Sequence, residues 1–437
     1  MFNFKLEHKW LEKFDRELDK NLVLYYFVGF LLFYTFVSFY DWSYFKTLTQ
    51  TIANQGYHTC WPYFQSCGNW YVFEMPPIGY GIKLFFALVF LVWFIGVYAW
   101  LYRQYKRLWL SLAALLLLKI LVGYIYTYEL AASYDFFHIF FLLIVLLVPG
   151  KSAVFFLQLF LALSYWFSAS IKIDSFWLAG DYFEALGLPF IENLIPAAVG
   201  TKLLFLLFCL VPIGLFCNAK TRIYTVWTLI GFHLYTMLFV GIHYPVLMIP
   251  ALWILFVYGP FKQPKNFLKS KAIGITLLLF SAMLHFWSFV IPGNEKYTGE
   301  GVRYGLYMFD ADRQCKSEAV LTQHDGSIDM RDLKFDPIRG RRCYVYREWF
   351  FAQQLCKTGT FKNVGWNYWH RNGNNDDWRQ LVQTDDVCAL EFTPWWHNEW
   401  IDKGPKVFTS NVVWGALLAW VLSGLGFVIT LYAFLKK

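Results

Sequence analysis

The chain contains 437 residues, of which 58% are hydrophobic, 22% are aromatic and only 16% are charged. About a quarter of the residues in a soluble domain are charged, so this composition excludes an ordinary soluble protein and indicates a membrane protein. The net charge of +8 agrees with cytoplasmic lysines and arginines in such a protein, and we expect no nucleic-acid partner.

Residues 1–20 form a charged, amphipathic segment that we expect in the cytoplasm. The segment lacks the short basic start and apolar core of a signal peptide. Apolar runs then predict an all-α polytopic bundle of about nine to ten transmembrane helices, with a membrane domain over 21–291 and a C-terminal helix within 411–437. The predicted spans are 21–40, 78–102, 108–127, 136–148, 153–171, 201–216, 223–241, 245–258, 272–291 and 411–434.

Lysine and arginine residues concentrate in alternate connections between these spans. They occur in 103–107, at Lys151, at Lys220 and Arg222, in 262–271 and at the final two lysines. The short connections between them, 128–135 and 241–245, contain neither residue. Short cytoplasmic loops are enriched in lysine and arginine, so both termini are predicted to be cytoplasmic.

Two long segments, 41–77 and 292–410, lie on the extracytoplasmic side in this topology. The second is long enough for a small, partly β domain, indicated by turn sequences such as HDGS and alternating stretches such as CYVYREWFF. Six cysteines lie in these segments, an even number on an oxidising side, which predicts disulfides without fixing their pairing. These cysteines are Cys60, Cys67, Cys315, Cys343, Cys356 and Cys388. Cys209 and Cys217 lie in or beside a span and are expected to be free thiols.

Ionisable residues inside apolar spans are costly in a bilayer, so each is a candidate functional residue. Lys119 lies in mid-span and needs a carboxylate or carbonyl partner, so a structural pairing and a functional role are both open. His138 and His233 are single histidines in apolar spans, where hydrogen bonding between helices is common. The spacing of His233 and His243 could suit a metal, but motifs such as HExxH and CxxC are missing, so no metal site is expected.

Lys172 directly follows the fifth predicted span, at the start of a stretch rich in tryptophan and tyrosine. Lysine and tryptophan are common anchors at helix ends, so snorkelling of Lys172 to the membrane surface is one interpretation. The other is chemical, because burial favours the neutral amine, which can act as a general base near neutral pH. Asp174 is expected either to orient Lys172 or to cap the next helix. The residues alone leave these alternatives open.

The sequence YWFSASIKIDSFWLAGDY, residues 165–182, resembles the signature of the membrane domain of vitamin K-dependent gamma-glutamyl carboxylases, within the horizontally transferred transmembrane family. The pattern is an aromatic-rich span, a small residue, and then lysine, a hydrophobic residue, aspartate, tryptophan and glycine. The residues in these places are Ala169, Lys172, Asp174, Trp177 and Gly180. By this resemblance Lys172 matches the catalytic base of the family.

Weaker matches lie elsewhere along the chain. DFFHIFFLL is similar to the family's Asn-His-x-Tyr segment through His138, with Phe137 in place of the asparagine, and FHLYTMLFVGI is similar to a histidine-containing span through His233. RYGLYMFDAD resembles a Tyr-Ser-Trp-x-Met stretch near the quinone and glutamate sites through Tyr304 and Met308. The resemblance therefore implies quinone or substrate contacts for His138, Asp174, Trp177, His233, Tyr304 and Met308.

The resemblance also implies one disulfide pairing. REWFFAQQLC, residues 347–356, is similar to the family segment whose cysteine is bonded to the loop after the first span. This similarity implies a bond between Cys356 and either Cys60 or Cys67. Spacing alone does not select between these two cysteines.

The activity implied by the resemblance couples two reactions without a metal. A reduced naphthoquinone (reduced vitamin K) is oxidised by O2 to its epoxide, and a glutamate is gamma-carboxylated by CO2. The expected location is the extracytoplasmic face of the membrane, periplasmic in a bacterium or lumenal in the endoplasmic reticulum. There Lys172 can meet both a lipid-soluble quinone and an exported glutamate-containing peptide or protein.

Other interpretations of the sequence remain open. One is a quinone-linked epoxidase or oxidoreductase that uses Lys172 but carboxylates nothing. Another is a non-enzymatic membrane partner in the maturation of an exported peptide. A small-molecule transporter is disfavoured because we find no inverted repeat in the sequence.

Overall fold

The computed structural model is mostly helical, at 69%. It describes residues 14, 18–44, 59–67, 80–126, 128, 132–148, 151–186, 195–239, 241–259, 267–307, 313–333, 343–373, 376–405 and 410–436. In chain order the helices are α1 (Leu22–Tyr44), α2 (Tyr80–Leu101), α3 (Tyr105–Ile120), α4 (Ser133–Leu147), α5 (Lys151–Ser170), α6 (Ser175–Ala179), α7 (Asp181–Leu186), α8 (Ala197–Phe216), α9 (Ala219–Phe239), α10 (His243–Leu252), α11 (Phe267–Val290), α12 (Glu295–Thr298), α13 (Val345–Lys357) and α14 (Asn411–Lys436). The strands are β1 (Arg313–Thr322), β2 (Ile328–Asp332), β3 (Asn363–Asn372) and β4 (Arg379–Thr384).

Seven helical segments in the described part of the chain are long and apolar enough to cross a membrane. They are Leu22–Trp42, Lys83–Leu101, Tyr105–Ile125, Ser152–Ser170, Ala197–Phe216, Ala272–Val290 and Asn411–Lys436. Two shorter apolar helices, Ser133–Leu147 and His243–Tyr258, coincide with two further predicted spans, and the predicted span 223–241 coincides with α9. The chain is therefore a helical, multi-pass membrane protein, while the number of spans and the sidedness of its connections stay predictions.

The outer faces of several spans are apolar. Leu84 and Phe94 of α2 are each 64% exposed, Leu279 of α11 is 66% exposed, and Ile429 of α14 is 68% exposed. A soluble protein rarely exposes continuous apolar surface, because water disfavours it. Such helix faces are suited to contact with lipid acyl chains.

The described residues form two compact units. The first unit contains those within Met1–Tyr165, Leu210–Ala282 and Leu425–Lys437, and the second those within Trp166–Cys209 and Met283–Gly424. The predicted division into a membrane domain, an extracytoplasmic domain and a final helix follows topology rather than compactness. That division stays a prediction.

Phenylalanine rings from three helices form part of the core of the first unit. Phe160 of α5 stacks on Phe140 of α4 with ring centres 5.4 Å apart, and Phe137 lies 5.9 Å from the same ring. Phe27 of α1 meets Phe141 edge to face at 5.3 Å. Helices in a membrane associate through close packing rather than through the hydrophobic effect, so these ring contacts hold α4 against both neighbours.

The second unit contains a four-stranded antiparallel sheet in the order β2-β1-β3-β4. Trp366 of β3 is fully buried, and its indole N–H donates to Ser317 Oγ of β1 at 3.0 Å. The predicted turn HDGS joins β1 to β2. Gly326 there has φ +87°, and the Ser327 N–H donates to Asp325 Oδ1 at 2.8 Å. A left-handed glycine and an aspartate side-chain bond are typical of such turns, so this prediction is confirmed.

The expectation of strand structure in CYVYREWFF is wrong, because most of this stretch belongs to helix α13. The buried apolar residues of helix α13 are Val345, Tyr346, Trp349, Phe350 and Ala352. They recur three to four residues apart, which places them on one helix face. A short stretch of alternating apolar and polar residues is compatible with a strand or with such a helix. The packing of the surrounding chain determines which of the two forms.

Three disulfides are present, as the cysteine count predicts, but the implied pairing of Cys356 is wrong. The bonds are Cys60–Cys67, Cys315–Cys343 and Cys356–Cys388. Cys356 lies in the last turn of helix α13, and Gln353 one turn earlier donates to the carbonyl of Leu390 at 3.0 Å. The chain around Cys388 therefore lies against α13, which brings Cys388 to Cys356. Cys209 and Cys217 are free thiols, as expected.

Candidate functional site

Lys172 lies at the carboxyl end of helix α5 and is only 1% exposed. Its Nζ donates to the carbonyl of Ser168 at 3.0 Å, and its backbone N–H donates to the carbonyl of Ala169 at 3.0 Å. The last carbonyl groups of a helix lack helical partners, and lysine side chains commonly bond them. Lys172 is therefore buried at the helix end, which argues against snorkelling to a water interface.

Aromatic rings flank the amine of Lys172. Its Nζ lies 5.5 Å from the ring centre of Trp177 and 5.2 Å from that of Phe208. Trp177 is held there by α6, which begins at Asp174 because this carboxylate accepts the backbone N–H groups of Phe176 at 3.0 Å and Trp177 at 3.1 Å. Asp174 therefore caps α6, one of the two roles expected for it.

Gly180 ends helix α6 and explains the glycine in the sequence signature. Its φ is +104°, and a Cβ on this residue would lie 2.7 Å from the backbone carbon of Ala197. Only glycine adopts this left-handed conformation without strain, and only glycine leaves room for α8 to approach. The approach positions Phe208 of α8 beside Lys172.

His285 of α11 binds the same end of α5. Its Nδ1 accepts the backbone N–H of Leu306 at 3.2 Å, which leaves Nε2 as the protonated nitrogen. Nε2 lies 3.0 Å from the carbonyl of Phe167 and 3.1 Å from Ser170 Oγ. The imidazole is therefore neutral, fixed in one tautomer and fully buried. Its Nε2 thus contacts one of the last carbonyl groups of α5, that of Phe167.

A second buried lysine, Lys296, donates from Nζ to the carbonyl of Ile171 and is 1% exposed. The neighbouring Glu295 is 5% exposed. The pKa of the Glu295 carboxyl is raised, chiefly by burial and further by Asp174. Lys296 and Arg313 lower this pKa and offset part of the rise. Lys172 and Lys296 therefore both donate to backbone carbonyl groups near the carboxyl end of α5.

Tyr304 and a buried carboxylate–imidazole pair occupy another part of the second unit. The Tyr304 hydroxyl donates to the carbonyl of Pro394 at 2.8 Å. Glu300 accepts from His397 Nδ1 at 2.8 Å and from the side-chain amide of Asn398 at 2.8 Å. His397 Nε2 is buried and has no hydrogen-bond partner among the described residues. This imidazole is oriented by its carboxylate, an arrangement used in both acid–base sites and structural networks.

His138 and His233 lie in the first unit. His138 Nε2 is 3.0 Å from Thr35 Oγ1, and the Thr35 hydroxyl itself donates to the carbonyl of Leu31 at 2.7 Å. His233 Nε2 lies 2.7 Å from the Tyr165 hydroxyl. Each histidine makes the hydrogen bond between helices that is common for a single histidine in an apolar span.

Lys119 has the partner that its mid-span position requires. Its Nζ lies 2.7 Å from Asp135 Oδ1, and both side chains are at most 1% exposed. Ser38 of α1 contacts both groups, donating to Asp135 Oδ1 at 3.2 Å and accepting from Lys119 Nζ at 2.5 Å. Sequence reasoning placed Asp135 in a loop, whereas it lies buried in the first turn of α4.

Within the second unit the structure brings part of the predicted site together. Lys172, Asp174 and Trp177 are in contact range within the second unit, which also contains Tyr304. Met308 lies outside the described residues. Among the described residues no group of three histidine, cysteine, aspartate or glutamate side chains could hold a metal ion. His243 instead lies 3.8 Å from Asp41.

Sequence reasoning missed several polar residues of the second unit. His285 carried the same signal as His138 and His233, a single histidine in an apolar span, and could have been found. Lys296 lies in the loop sequence GNEKYTGEG, where a lysine has no unusual neighbours in the chain. Its burial depends on residues more than a hundred positions away, so no local pattern could reveal it.

Comparison with protein-family models, curated proteins and solved structures finds no match to this chain. The resemblance to the carboxylase family therefore depends on the sequence motifs alone. The geometry around Lys172 is an observation that does not depend on those motifs.

Proposed function

We propose that this chain is a membrane enzyme similar to the vitamin K-dependent gamma-glutamyl carboxylases, with Lys172 as its base. The reaction converts a reduced naphthoquinone and O2 to the quinone epoxide and water, and converts glutamate and CO2 to gamma-carboxyglutamate with release of a proton. The reacting face is extracytoplasmic, and both termini are cytoplasmic. The substrate is a glutamate in an exported peptide or protein.

The observation that carries this proposal is the burial of the Lys172 amine between aromatic rings. An amine that is removed from water loses much of the hydration that stabilises its ammonium form. The neutral amine has a lone pair that can accept a proton from a quinol hydroxyl. Surface anchoring does not require such burial, because a snorkelling lysine keeps its amine in water.

The residues around Lys172 fit a planar, apolar ring system. Trp177 and Phe208 supply aromatic surface within 6 Å of the amine, and aromatic rings associate favourably by offset stacking. When bound, the reduced naphthoquinone supplies with O2 the strong base that a glutamate gamma-proton requires, which no side chain supplies at neutral pH. The chain's own part is to accept the quinol proton at Lys172 Nζ and to keep water from this amine.

Two substitutions at Lys172 separate the base from a structural cap. Lys172→Arg keeps a donor for the Ser168 carbonyl but remains charged at every accessible pH. Lys172→Met removes both the donor and the base. Purified protein in lipid nanodiscs would receive reduced menaquinone or phylloquinone, O2, labelled CO2 and glutamate peptides, and the epoxide and the label in peptide would be quantified.

We expect epoxide and labelled peptide from the wild type and neither from a folded Lys172→Arg variant. Equal epoxide formation by wild type and Lys172→Arg would show that Lys172 only caps helix α5. Epoxide without labelled peptide would identify an epoxidase that does not carboxylate. No epoxide from folded wild type with any of these quinols and peptides would overturn the proposed function and favour a non-enzymatic membrane partner.

A further inference from the structure

The chain that connects two membrane-length helices begins and ends at one place. Helix α11 ends at Val290 and helix α14 begins at Asn411, and the described residues between them form no membrane-length apolar helix. Shortly after α11, the backbone N–H of Asn294 donates to the carbonyl of Lys403 at 2.7 Å, and its side-chain amide donates to that of Pro405 at 3.0 Å. The last part of this connection therefore lies beside the end of α11.

A tryptophan in the last turn of α11 binds one loop of the connection. The Trp287 indole N–H donates to the carbonyl of Trp395 at 3.2 Å, and the two ring centres are 6.3 Å apart. The ring centre of Tyr304 lies 4.7 Å from that of Trp395, and the Tyr304 hydroxyl donates to the carbonyl of Pro394 at 2.8 Å. Residues 393–398, the tryptophan loop, are thus attached to the end of a predicted membrane span.

A buried carboxylate fixes the backbone of the tryptophan loop. Glu300 accepts the backbone N–H of Asn398 at 2.9 Å and the His397 Nδ1–H at 2.8 Å. The Asn398 side chain in turn accepts the backbone N–H of Thr393 at 2.6 Å, which joins the two ends of the loop. The tryptophan side chains between these ends are therefore presented by a backbone that is hydrogen-bonded on both sides.

The tryptophan loop exposes two large aromatic side chains. Trp395 is 44% exposed and Trp396 is 50% exposed. In the last turn of α11, Phe289 and Val290 are exposed as well. Exposed apolar side chains therefore occur both at the end of the span and in the loop that is bonded to it. Neighbouring apolar groups of this kind mark a contact with a partner or with a membrane.

The position of Trp287 sets the depth of the tryptophan loop. The span Ala272–Val290 contains 19 residues and is about 28 Å long, which matches the hydrocarbon core of a bilayer. Its last turn therefore lies at the boundary between the acyl chains and the headgroups. Tryptophan is enriched at this boundary, because its ring is apolar and its indole N–H is polar. Trp395 lies at nearly the same depth, because its carbonyl accepts the Trp287 indole N–H.

The charges around the tryptophan loop indicate which part of the lipid it contacts. Residues 391–403 contain three acidic residues, Glu391, Glu399 and Asp402, and one basic residue, Lys403. Anionic headgroups attract clusters of lysine and arginine, and this segment has the opposite balance of charge. Burial of aromatic surface, rather than attraction between charges, is therefore the available source of binding.

We propose that the tryptophan loop is an interfacial membrane anchor. Trp395 and Trp396 insert into the layer between the headgroups and the upper acyl chains, and they hold the connection between α11 and α14 against the bilayer surface. The partner is an uncharged lipid surface. This inference does not depend on the activity of Lys172, so either proposal can fail without the other.

The first test measures whether the Trp396 ring reaches lipid or water. Fluorotryptophan would be incorporated into the full chain in phosphatidylcholine nanodiscs, and the fluorine signal of Trp396 would be assigned by its loss in Trp396→Phe. Samples would contain either a lipid with a nitroxide near the top of its acyl chain or a water-soluble gadolinium chelate. Trp378 is the matched control, because its ring centre lies 4.4 Å from Lys316 Nζ and 4.8 Å from the guanidinium carbon of Arg371.

We expect the lipid nitroxide to abolish the Trp396 signal and the chelate to leave it intact, with the opposite result for Trp378. Loss of the Trp396 signal with the chelate would show that the ring lies in water and would overturn the inference. Survival of the signal with both reagents would show that protein covers the ring, as in a pair of copies of this chain. That result would overturn the inference as well.

The second test requires no substitution. The full chain would be reconstituted with a phosphatidylcholine that carries a photoactivatable diazirine in the upper acyl chain, and cross-linked peptides would be identified by mass spectrometry. We expect lipid adducts in the tryptophan loop and in the last turn of α11. Ile328 and Met330 of β2 are the control, because they are more exposed than either tryptophan but are not bonded to a span. A tryptophan loop without adducts, or with no more adducts than β2, would contradict the inference.

Discussion

Removal of one partner from the buried Lys119–Asp135 pair should strongly destabilise the first unit. The Lys119→Met variant keeps an apolar side chain against the ring of Trp42, whose centre lies 5.0 Å from Lys119 Nζ. It leaves Asp135 as a buried carboxylate that still accepts the Ser38 hydroxyl but has lost its counter-charge. Breaking a buried ion pair in this way costs about 3–5 kcal/mol of unfolding free energy.

The double variant Lys119→Met/Asp135→Asn should be more stable than Lys119→Met alone. Both charges are then absent, and the asparagine oxygen can still accept the Ala132 N–H that Asp135 accepts at 3.1 Å. Replacement of a whole buried pair by neutral groups is often close to neutral in stability. The two substitutions should therefore be strongly non-additive.

Reversible unfolding of the full chain in mixed micelles, followed by tryptophan fluorescence and circular dichroism, measures these differences. Arg103→Met is the matched control, because Arg103 Nη1 lies 3.0 Å from Asp19 Oδ1 but the two side chains are 63% and 54% exposed. An exposed pair contributes about 0–1 kcal/mol. The reasoning is refuted if Lys119→Met costs no more than Arg103→Met, or if the losses in the double variant add.

Two further predictions concern the second unit and the disulfides. Burial lowers the pKa of His370 from 6.5 to about 3, so between these values the unfolded chain binds a proton that the folded chain does not. The free energy of unfolding should therefore decrease as the pH is lowered through this window, by up to about 5 kcal/mol. His370→Leu should remove that part of the pH dependence, measured by unfolding at pH 4 and pH 7. Replacement of Cys356 and Cys388 by alanine, which opens a loop of 32 residues, should cost about 4 kcal/mol. The same change at Cys60 and Cys67, which are 7 residues apart, should cost about 2 kcal/mol, and equal losses in unfolding experiments would contradict the loop-entropy argument.

The local features of this fold could be predicted from the sequence. The apolar run 21–40 corresponds to helix α1, and the run 411–434 corresponds to helix α14. Each run is long enough to satisfy its own backbone within a bilayer, so length and composition are sufficient to identify it. The turn HDGS was equally predictable, because glycine supplies the left-handed conformation that the turn at Gly326 requires.

The presence of a buried lysine was predictable, but its partner was not. Lys119 in mid-span required a counter-charge, yet Asp135 looked like a loop residue until the structure placed it in α4. Ser38, which completes this cluster, is 81 residues from Lys119 in the chain. Periodicity reports which face of a helix is buried and carries no information about which distant helix lies against that face.

The sequence by itself determined that the chain is a multi-pass helical membrane protein with paired cysteines, because composition, run length and cysteine count are local quantities. It also singled out Lys172. Only the tertiary structure decided that Cys356 bonds Cys388, that CYVYREWFF is helical, and that Lys296 lies at the same helix end as Lys172. These outcomes depend on contacts between residues far apart in the chain, and such contacts exist only once packing has fixed which segments are neighbours.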